Sequence, residues 1–275
     1  MTIERPAALS VYPAGYGPLF DRAAALFEAD PRVRGMWLHG AIARDAADAG
    51  SDLDIDIAVA DEDFDEFTSA WREWLGQITP TVSAVPIPGA PGSFYALTPT
   101  CERIDVISER VSDVATSGLT RRIVVFDRDG LTARIPEIRD PAPDPEVIRR
   151  LIQEILRQAA NFPTVMVRKD WLLGVVAVQQ VHLTLYQLFA EANKPQPPTG
   201  PKQWSTKLSP EQRRLLEDLP VPQATADSVL EARQAALSLF LREAPAIARE
   251  QQVAWPEELA AAVLEFLRRE GLAVD

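Results

Sequence analysis

The sequence predicts an α+β chain in two parts: strands and helices mixed in the amino-terminal part, helices alone in the carboxy-terminal part. Three observations carry this. Six short β-rich runs fall between residues 33 and 126, only helical spacing is found from 145 onward, and between them IPEIRDPAPDPE (135–146) carries four prolines. Proline fixes φ and removes a backbone donor, so neither a helix nor a central strand runs through that link. Domains of 1–140 and 145–275 result.

Taken in order, Tyr16 to Glu28 reads as a helix and VRGMWLH (33–39) as a strand. DLDIDIAV (52–59), VSAVPI (82–87), FYALT (94–98), RIDVIS (103–108) and RIVVF (122–126) read as further strands. Phe64 to Ile78 reads as one helix, with Phe64, Phe67, Trp71 and Leu75 on one face. After the link, Asp144 caps and Pro145 opens a helix to about Ala160, and a long helix is predicted from about Arg168 to Ala192. Ser209-Pro210 with Gln212 has the capping-box form. Helices over 223–244 and 256–270, the latter stopped by Gly271, complete a bundle.

Composition narrows the function. A chain of 275 residues can bury a core without staples, and its single cysteine, Cys101, points away from disulfides and structural zinc. Two histidines, His39 and His182, remove most metalloenzyme and Ser-His-Asp schemes. His39, at the end of a strand, and His182, on an apolar helix face, read as packing residues. No apolar stretch nears the roughly 20 residues of a membrane span, and the amino terminus lacks the basic start of a secretory signal. A cytoplasmic protein without a membrane partner is expected. The net charge of −12 argues against a nucleic-acid groove and favours cationic partners. Residues 1–145 hold −11 of it, and all four lysines, Lys169, Lys194, Lys202 and Lys207, lie beyond.

The chemistry sits in Trp37-Leu38-His39-Gly40-Ala41-Ile42-Ala43-Arg44, a polar loop, and Gly50-Ser51-Asp52-Leu53-Asp54-Ile55-Asp56. Strand alternation puts Asp52, Asp54 and Asp56 on one face and Leu53, Ile55 and Ile57 on the other. One face is core; the other is a carboxylate ladder. Such a ladder repels itself unless a cation is held there, and a hard divalent ion with oxygen ligands, above all magnesium, suits it. Gly40 at a strand-to-helix turn lets a phosphate approach the backbone, beside a helix amino terminus at Ala41.

At these residues the sequence resembles the nucleotidyltransferase superfamily that includes DNA polymerase beta, and most of all its aminoglycoside- and lincosamide-modifying members. The shared pattern is a glycine-serine turn, a loop, and Asp-x-Asp on a strand preceded by serine. Gly40, Ser51, Asp52 and Asp54 match it, Arg44 falls where such enzymes face the triphosphate, and Ala41 departs from it, standing where the family has a phosphate-binding serine.

The resemblance implies an amino-terminal nucleotidyltransferase mixed β-sheet with flanking helices, followed by a helical substrate- and nucleotide-closing domain. It also implies a third carboxylate on a later strand, for which Asp105 in RIDVIS is the candidate, with Glu102 and Glu109 as substitutes if the register differs. Asp52, Asp54 and Asp105 would be the catalytic and metal-binding set, holding magnesium, two ions by the family pattern. Gly40, Ala41, Arg44, Ser51 and Lys202 would meet the triphosphate of ATP or another nucleoside triphosphate. Lys202 is chosen because Gly200-Pro201-Lys202-Gln203-Trp204 is similar to a Pro-Lys element of the streptomycin and spectinomycin enzymes; Lys207 and Lys169 stand behind it. Asp170 and Trp171 would face the acceptor.

The activity implied is magnesium-dependent transfer of a nucleoside monophosphate to a hydroxyl of a small, cationic, aminoglycoside-type molecule, with pyrophosphate released, by a monomer or homodimer. This is chemistry of antibiotic resistance. Two alternatives stay open: a nucleotide-binding regulatory protein with little or no activity, prompted by Ala41, and a toxin–antitoxin type enzyme acting on protein or tRNA.

Overall fold

The structure is a computed structural model in which residues 3–196, 200 and 202–274 are described. The chain separates into two compact units, one ending at Arg139 and the other beginning at Asp140. The first unit is a six-stranded sheet: β1 (Val33–Leu38), β2 (Leu53–Val59), β3 (Ser83–Pro86), β4 (Phe94–Leu97), β5 (Arg103–Arg110) and β6 (Ile123–Asp127). Their spatial order is β3-β4-β5-β2-β1-β6, with β2 and β5 parallel and the other pairs antiparallel.

Alternation along β2 has the expected result. Leu53, Ile55, Ile57 and Val59 are buried in the main core, where Phe20 and Phe27 of α1 (Tyr16–Ala29) pack. A single turn, α2 (Gly40–Ala43), follows β1. The helix expected over 64–78 is two, α3 (Phe64–Ser69) and α4 (Trp71–Ile78). The break has a local cause: Thr68 Oγ1 donates to the Phe64 carbonyl at 2.7 Å and Ser69 Oγ to the Glu66 carbonyl at 2.8 Å, bonds that compete with helix continuation. Phe64, Phe67, Trp71 and Leu75 remain buried on the core side all the same.

The opposite sheet face is only partly covered. Trp37 of β1 and Ala58 of β2 form a small separate core with Val114 and Leu131, which come from 3-10 turns at Asp113–Thr116 and Leu131–Arg134.

The second unit consists of helices: α5 (Pro145–Asn161), α6 (Pro163–Arg168), α7 (Trp171–Ala192), α8 (Pro210–Glu217), α9 (Ala226–Glu250) and α10 (Glu257–Arg269). Asp144 caps α5, its Oδ1 accepting from Glu146 N at 2.8 Å. Ser209 and Gln212 close the capping box of α8 as expected. The long helix starts at Trp171 rather than Arg168, because Lys169 takes a left-handed φ of 52° and Asp170 Oδ1 accepts from Leu173 N at 3.0 Å as a new cap. The helix expected over 223–244 continues to Glu250 with Pro245 inside it. Contrary to the expectation, α7 is by length and composition apolar enough to cross a membrane. It packs against α5 and α9, with Val178, Leu185, Leu188 and Phe189 buried in the second core.

Candidate functional site

Gly40 is the hinge of the site. Its φ of +69° lies in the left-handed region, which glycine adopts without steric cost. A Cβ at this position would also overlap the Asp54 carboxylate. The turn therefore rests directly on Asp54, and His39 N donates to the Asp54 carbonyl at 3.1 Å to hold β1 and β2 together there. Only one helical turn comes after Gly40, so the expected dipole of a helix amino terminus is reduced to local backbone amides. The Ala41 carbonyl accepts from Arg44 N at 3.2 Å and Ala46 N at 3.0 Å, which tightens the loop behind it.

Asp105 stands where its strand register was read. In the parallel ladder Asp54 pairs with Asp105, as Leu53 does with Ile104, and Ile104 and Val106 are buried while Asp105 is half-buried. Two carboxylates directly opposite one another destabilise a sheet unless positive charge sits with them. On the other side Asp105 pairs with Tyr95 of β4, which is half-exposed.

Asp52 precedes β2 and is ion-paired with Arg103, two residues before Asp105; Arg103 Nη2 also donates to the Gly50 carbonyl. Tyr12 Oη donates to the Asp52 carbonyl at 3.1 Å. Burial foremost, then the charges of Asp54, Asp52 and Asp48, push the Tyr12 phenol far above its ordinary range. Tyr12 and Arg103 were missed by sequence reasoning. Arg103 carried a signal, since alternation puts it on the face of Asp105; Tyr12 carried none.

The third rung of the ladder is corrected. Asp56 is fully buried, and Arg122, itself 1% exposed, contacts it and reaches Glu109 Oε1 at 2.5 Å. The Arg122 contact with Asp56 is electrostatic, without an aligned hydrogen bond to either Asp56 oxygen. The Arg122 guanidinium also lies 5.1 Å from the centre of the Trp37 ring. Burial, then Glu109, raises the Asp56 carboxyl well above the usual carboxylate range despite Arg122. Glu109 is thus part of an internal ion cluster, and Glu102 bonds Thr98 and Thr100. His39 is neutral: burial, with the charges of Arg122 and Arg44, lowers it to about 4.

Ser51 shapes the loop rather than pointing away from it: its Oγ accepts from Asp48 N at 3.0 Å and bonds Asp48 Oδ1 at 3.2 Å. In the second unit, Pro201 of the Pro-Lys element lies outside the described residues, Lys202 is exposed, and Trp204 stacks on Tyr186 with ring centres 4.2 Å apart. The Lys207 carbonyl accepts from Asn193 Nδ2 at 2.9 Å. Asp170 serves as the α7 cap, and Trp171 packs half-buried on the second core.

Among the described residues no three His, Cys, Asp or Glu side chains converge as a ready metal cage. Asp52 is turned to Arg103 instead. The donor chemistry nevertheless fits a hard divalent ion, since the opposed Asp54 and Asp105 are oxygen donors whose mutual repulsion such an ion relieves.

No protein-family model matches the chain, and no curated protein sequence matches it. Among solved structures it is similar to an aminoglycoside 6-adenyltransferase from Bacillus subtilis, at 13% identity and TM-score 0.44, over 97% of this chain and 99% of that one. It is also similar to a nucleotidyltransferase-like protein from Exiguobacterium sibiricum 255-15, at 13% identity and TM-score 0.37, over 90% of this chain and 89% of that one. A CCA-adding enzyme from Thermotoga maritima, complexed with tRNA, is similar at 15% identity and TM-score 0.38, over 95% of this chain and 72% of that one. Likeness of this kind does not fix a substrate.

Proposed function

We propose that the protein is a nucleotidyltransferase that moves a nucleoside monophosphate from ATP to a hydroxyl of a small cationic molecule of the aminoglycoside class. The observation that carries this reading is the pairing of Asp54 with Asp105 on adjacent parallel strands, directly against the Gly40 turn. Asp54 and Asp105, joined by Asp52 once it leaves Arg103, would hold magnesium, two ions by the family pattern, whose charge would neutralise that of the triphosphate.

In this reading the backbone at Gly40 and Ala41 cradles phosphate oxygens, Ser51 fixes the loop leading into Asp52, and Arg44 faces the triphosphate; Lys202 is assigned to phosphate by the resemblance. Asp105 takes the proton of the acceptor hydroxyl. The acceptor oxygen bonds to the α-phosphorus, the bond from that phosphorus to the bridging oxygen breaks, and pyrophosphate leaves. Residues 1–145, at −11, suit a cationic acceptor. Asp170 and Trp171 keep their proposed acceptor role only if substitution changes acceptor KM and leaves the fold intact.

A second reading has its own observation. Ala41 has no side-chain donor and Arg103 holds Asp52, as suits a regulatory protein that binds nucleotide without turning it over. Pyrophosphate release by the full chain, with each nucleoside triphosphate, magnesium, and either pooled aminoglycosides, protein or tRNA, tests both. Magnesium-dependent release that requires an aminoglycoside and is lost in Asp54→Asn is expected. Saturable ATP binding with no release on any acceptor would replace the enzyme with the regulatory reading. One structural neighbour is a complex with tRNA, so the charge-based expectation against nucleic acid is not kept, and labelling of tRNA would reassign the acceptor.

A further inference from the structure

The strand register carries one row of side chains across four strands. Val85 of β3 pairs with Tyr95 of β4, Tyr95 with Asp105 of β5, and Asp105 with Asp54 of β2. Directly paired residues share a sheet face with Cβ atoms about 5 Å apart. A tyrosine and a valine therefore continue the carboxylate row toward the β3 edge of the sheet. The other face of β4 and β5 is core, with Phe94, Ala96, Ile104 and Val106 buried in it. On the row itself Tyr95 is 52% and Val85 54% exposed.

The chemistry proposed for the site decides which ligand meets this surface. In-line displacement puts the attacking and leaving oxygens on opposite sides of the α-phosphorus. β1, which leads into the Gly40 turn, flanks β2 on one side, and β5 followed by β4 flanks it on the other. With pyrophosphate held at the Gly40 turn, the attacking hydroxyl comes from the β4 side, past Asp105. Tyr95 and Val85 are the side chains that lie beyond Asp105 in that direction. Their chemistry suits a sugar ring that carries ammonium groups: an ammonium is attracted to the face of an aromatic ring and to a carboxylate beside it, and the C–H groups of the sugar pack on the ring and on valine.

We propose that Tyr95, with Val85 beside it, is the shelf on which the cationic sugar ring of the acceptor lies, an acceptor contact supplied by the first unit itself. The proposal rests on the nucleotidyltransferase reading, which puts the triphosphate at the Gly40 turn and the base at Asp105.

The test is calorimetric titration of the full chain with kanamycin and with streptomycin, and separately with ATP and magnesium. Saturable binding of at least one aminoglycoside is expected, weakened about 5- to 10-fold in Tyr95→Ala and little changed in Tyr95→Phe, which keeps the ring. Val85→Lys should weaken it as well, because it sets a like charge beside the ligand; this variant leaves Tyr95 in place and decides the matter should Tyr95→Ala fail to fold. ATP affinity should not fall in any of the three. Aminoglycoside affinity undiminished in Tyr95→Ala or Val85→Lys, or an equal loss of ATP affinity in Tyr95→Ala, would overturn the proposal. ATP binding by a wild-type chain that takes up neither aminoglycoside removes the shelf and leaves the nucleotide site standing. Failure of the underlying reading looks different: aminoglycoside binding that still responds to Tyr95→Ala, in a chain that binds no ATP, keeps the shelf as a cationic-sugar site and withdraws the nucleotidyltransferase.

Discussion

Asp54 and Asp56 stand two residues apart on β2, on the same sheet face, yet they meet different environments. Asp56 lies under the cover of Trp37, Val114 and Leu131 and shares Arg122 with Glu109. Asp54 lies past the edge of that cover, against the Gly40 turn and opposite Asp105. The difference teaches that alternation assigns a carboxylate to a face, while the segments folded over that face decide whether it is enclosed in an internal polar cluster or lies beside the Gly40 turn. The covered end holds its charge inside the fold. The open end holds Asp52 with Arg103, a side chain 40% exposed.

Arg122→Met should break the covered end most severely. It strands Asp56 and Glu109, and losing one partner of a buried cluster costs about 3–5 kcal/mol. Urea denaturation should show that loss, and an added Asp56→Leu substitution should recover much of it. Arg103→Gln at the open end should cost less, about 1 kcal/mol, because Arg103 is 40% exposed although Asp52 is only 14% exposed.

On the proposed assignment, Asp54→Asn reverses the pattern. Stability is kept or slightly raised as the repulsion with Asp105 falls, while turnover drops on the order of 100- to 1,000-fold, the scale for removing one electrostatic contact to the transition state. Equal turnover in mutant and wild type, with stability unchanged, would remove the open end from the chemistry.

His39 sharpens the comparison through pH. Its ordinary value of 6.5 falls to about 4 in the fold, so between these values the unfolded chain takes up a proton that the fold refuses. The His39 contribution to stability is constant above about pH 6.5 and is lost as pH falls toward 4, by up to about 3 kcal/mol. Urea midpoints from pH 7 to 4 should show a steeper decline in wild type than in His39→Phe.

The smallest expected effect is at the boundary of the proposed metal site. Removing the guanidinium in Arg103→Gln should tighten manganese binding, followed by electron paramagnetic resonance in the absence of nucleotide, by about 3- to 10-fold.

Much of this was legible in the sequence because it is local. Period-2 patterning found all six strands, the run from Leu53 to Val59 gave the face of Asp54, and Ile104 and Val106 fixed the face of Asp105. Capping chemistry found the starts of α5 and α8. What was not legible joins distant segments. Nothing near Asp56 announces that Val114 and Leu131 will cover its end of the sheet, or that Arg122 will reach it. The Asp52–Arg103 pair spans 51 positions. Local effects also went unseen where they depend on a hydroxyl's rotamer, as at Thr68 and Ser69, or on one residue's left-handed turn, as at Lys169.

The Arg103–Asp52 pair bears on timing as well as affinity. On the proposed assignment a divalent ion does not enter an open seat; it trades places with a tethered guanidinium. Loading is then a two-step exchange whose observed rate rises with ion concentration at first and levels off at the opening rate of the ion pair. The plateau belongs to the protein rather than to the metal, so magnesium and manganese should reach the same ceiling, and Arg103→Gln should lift it.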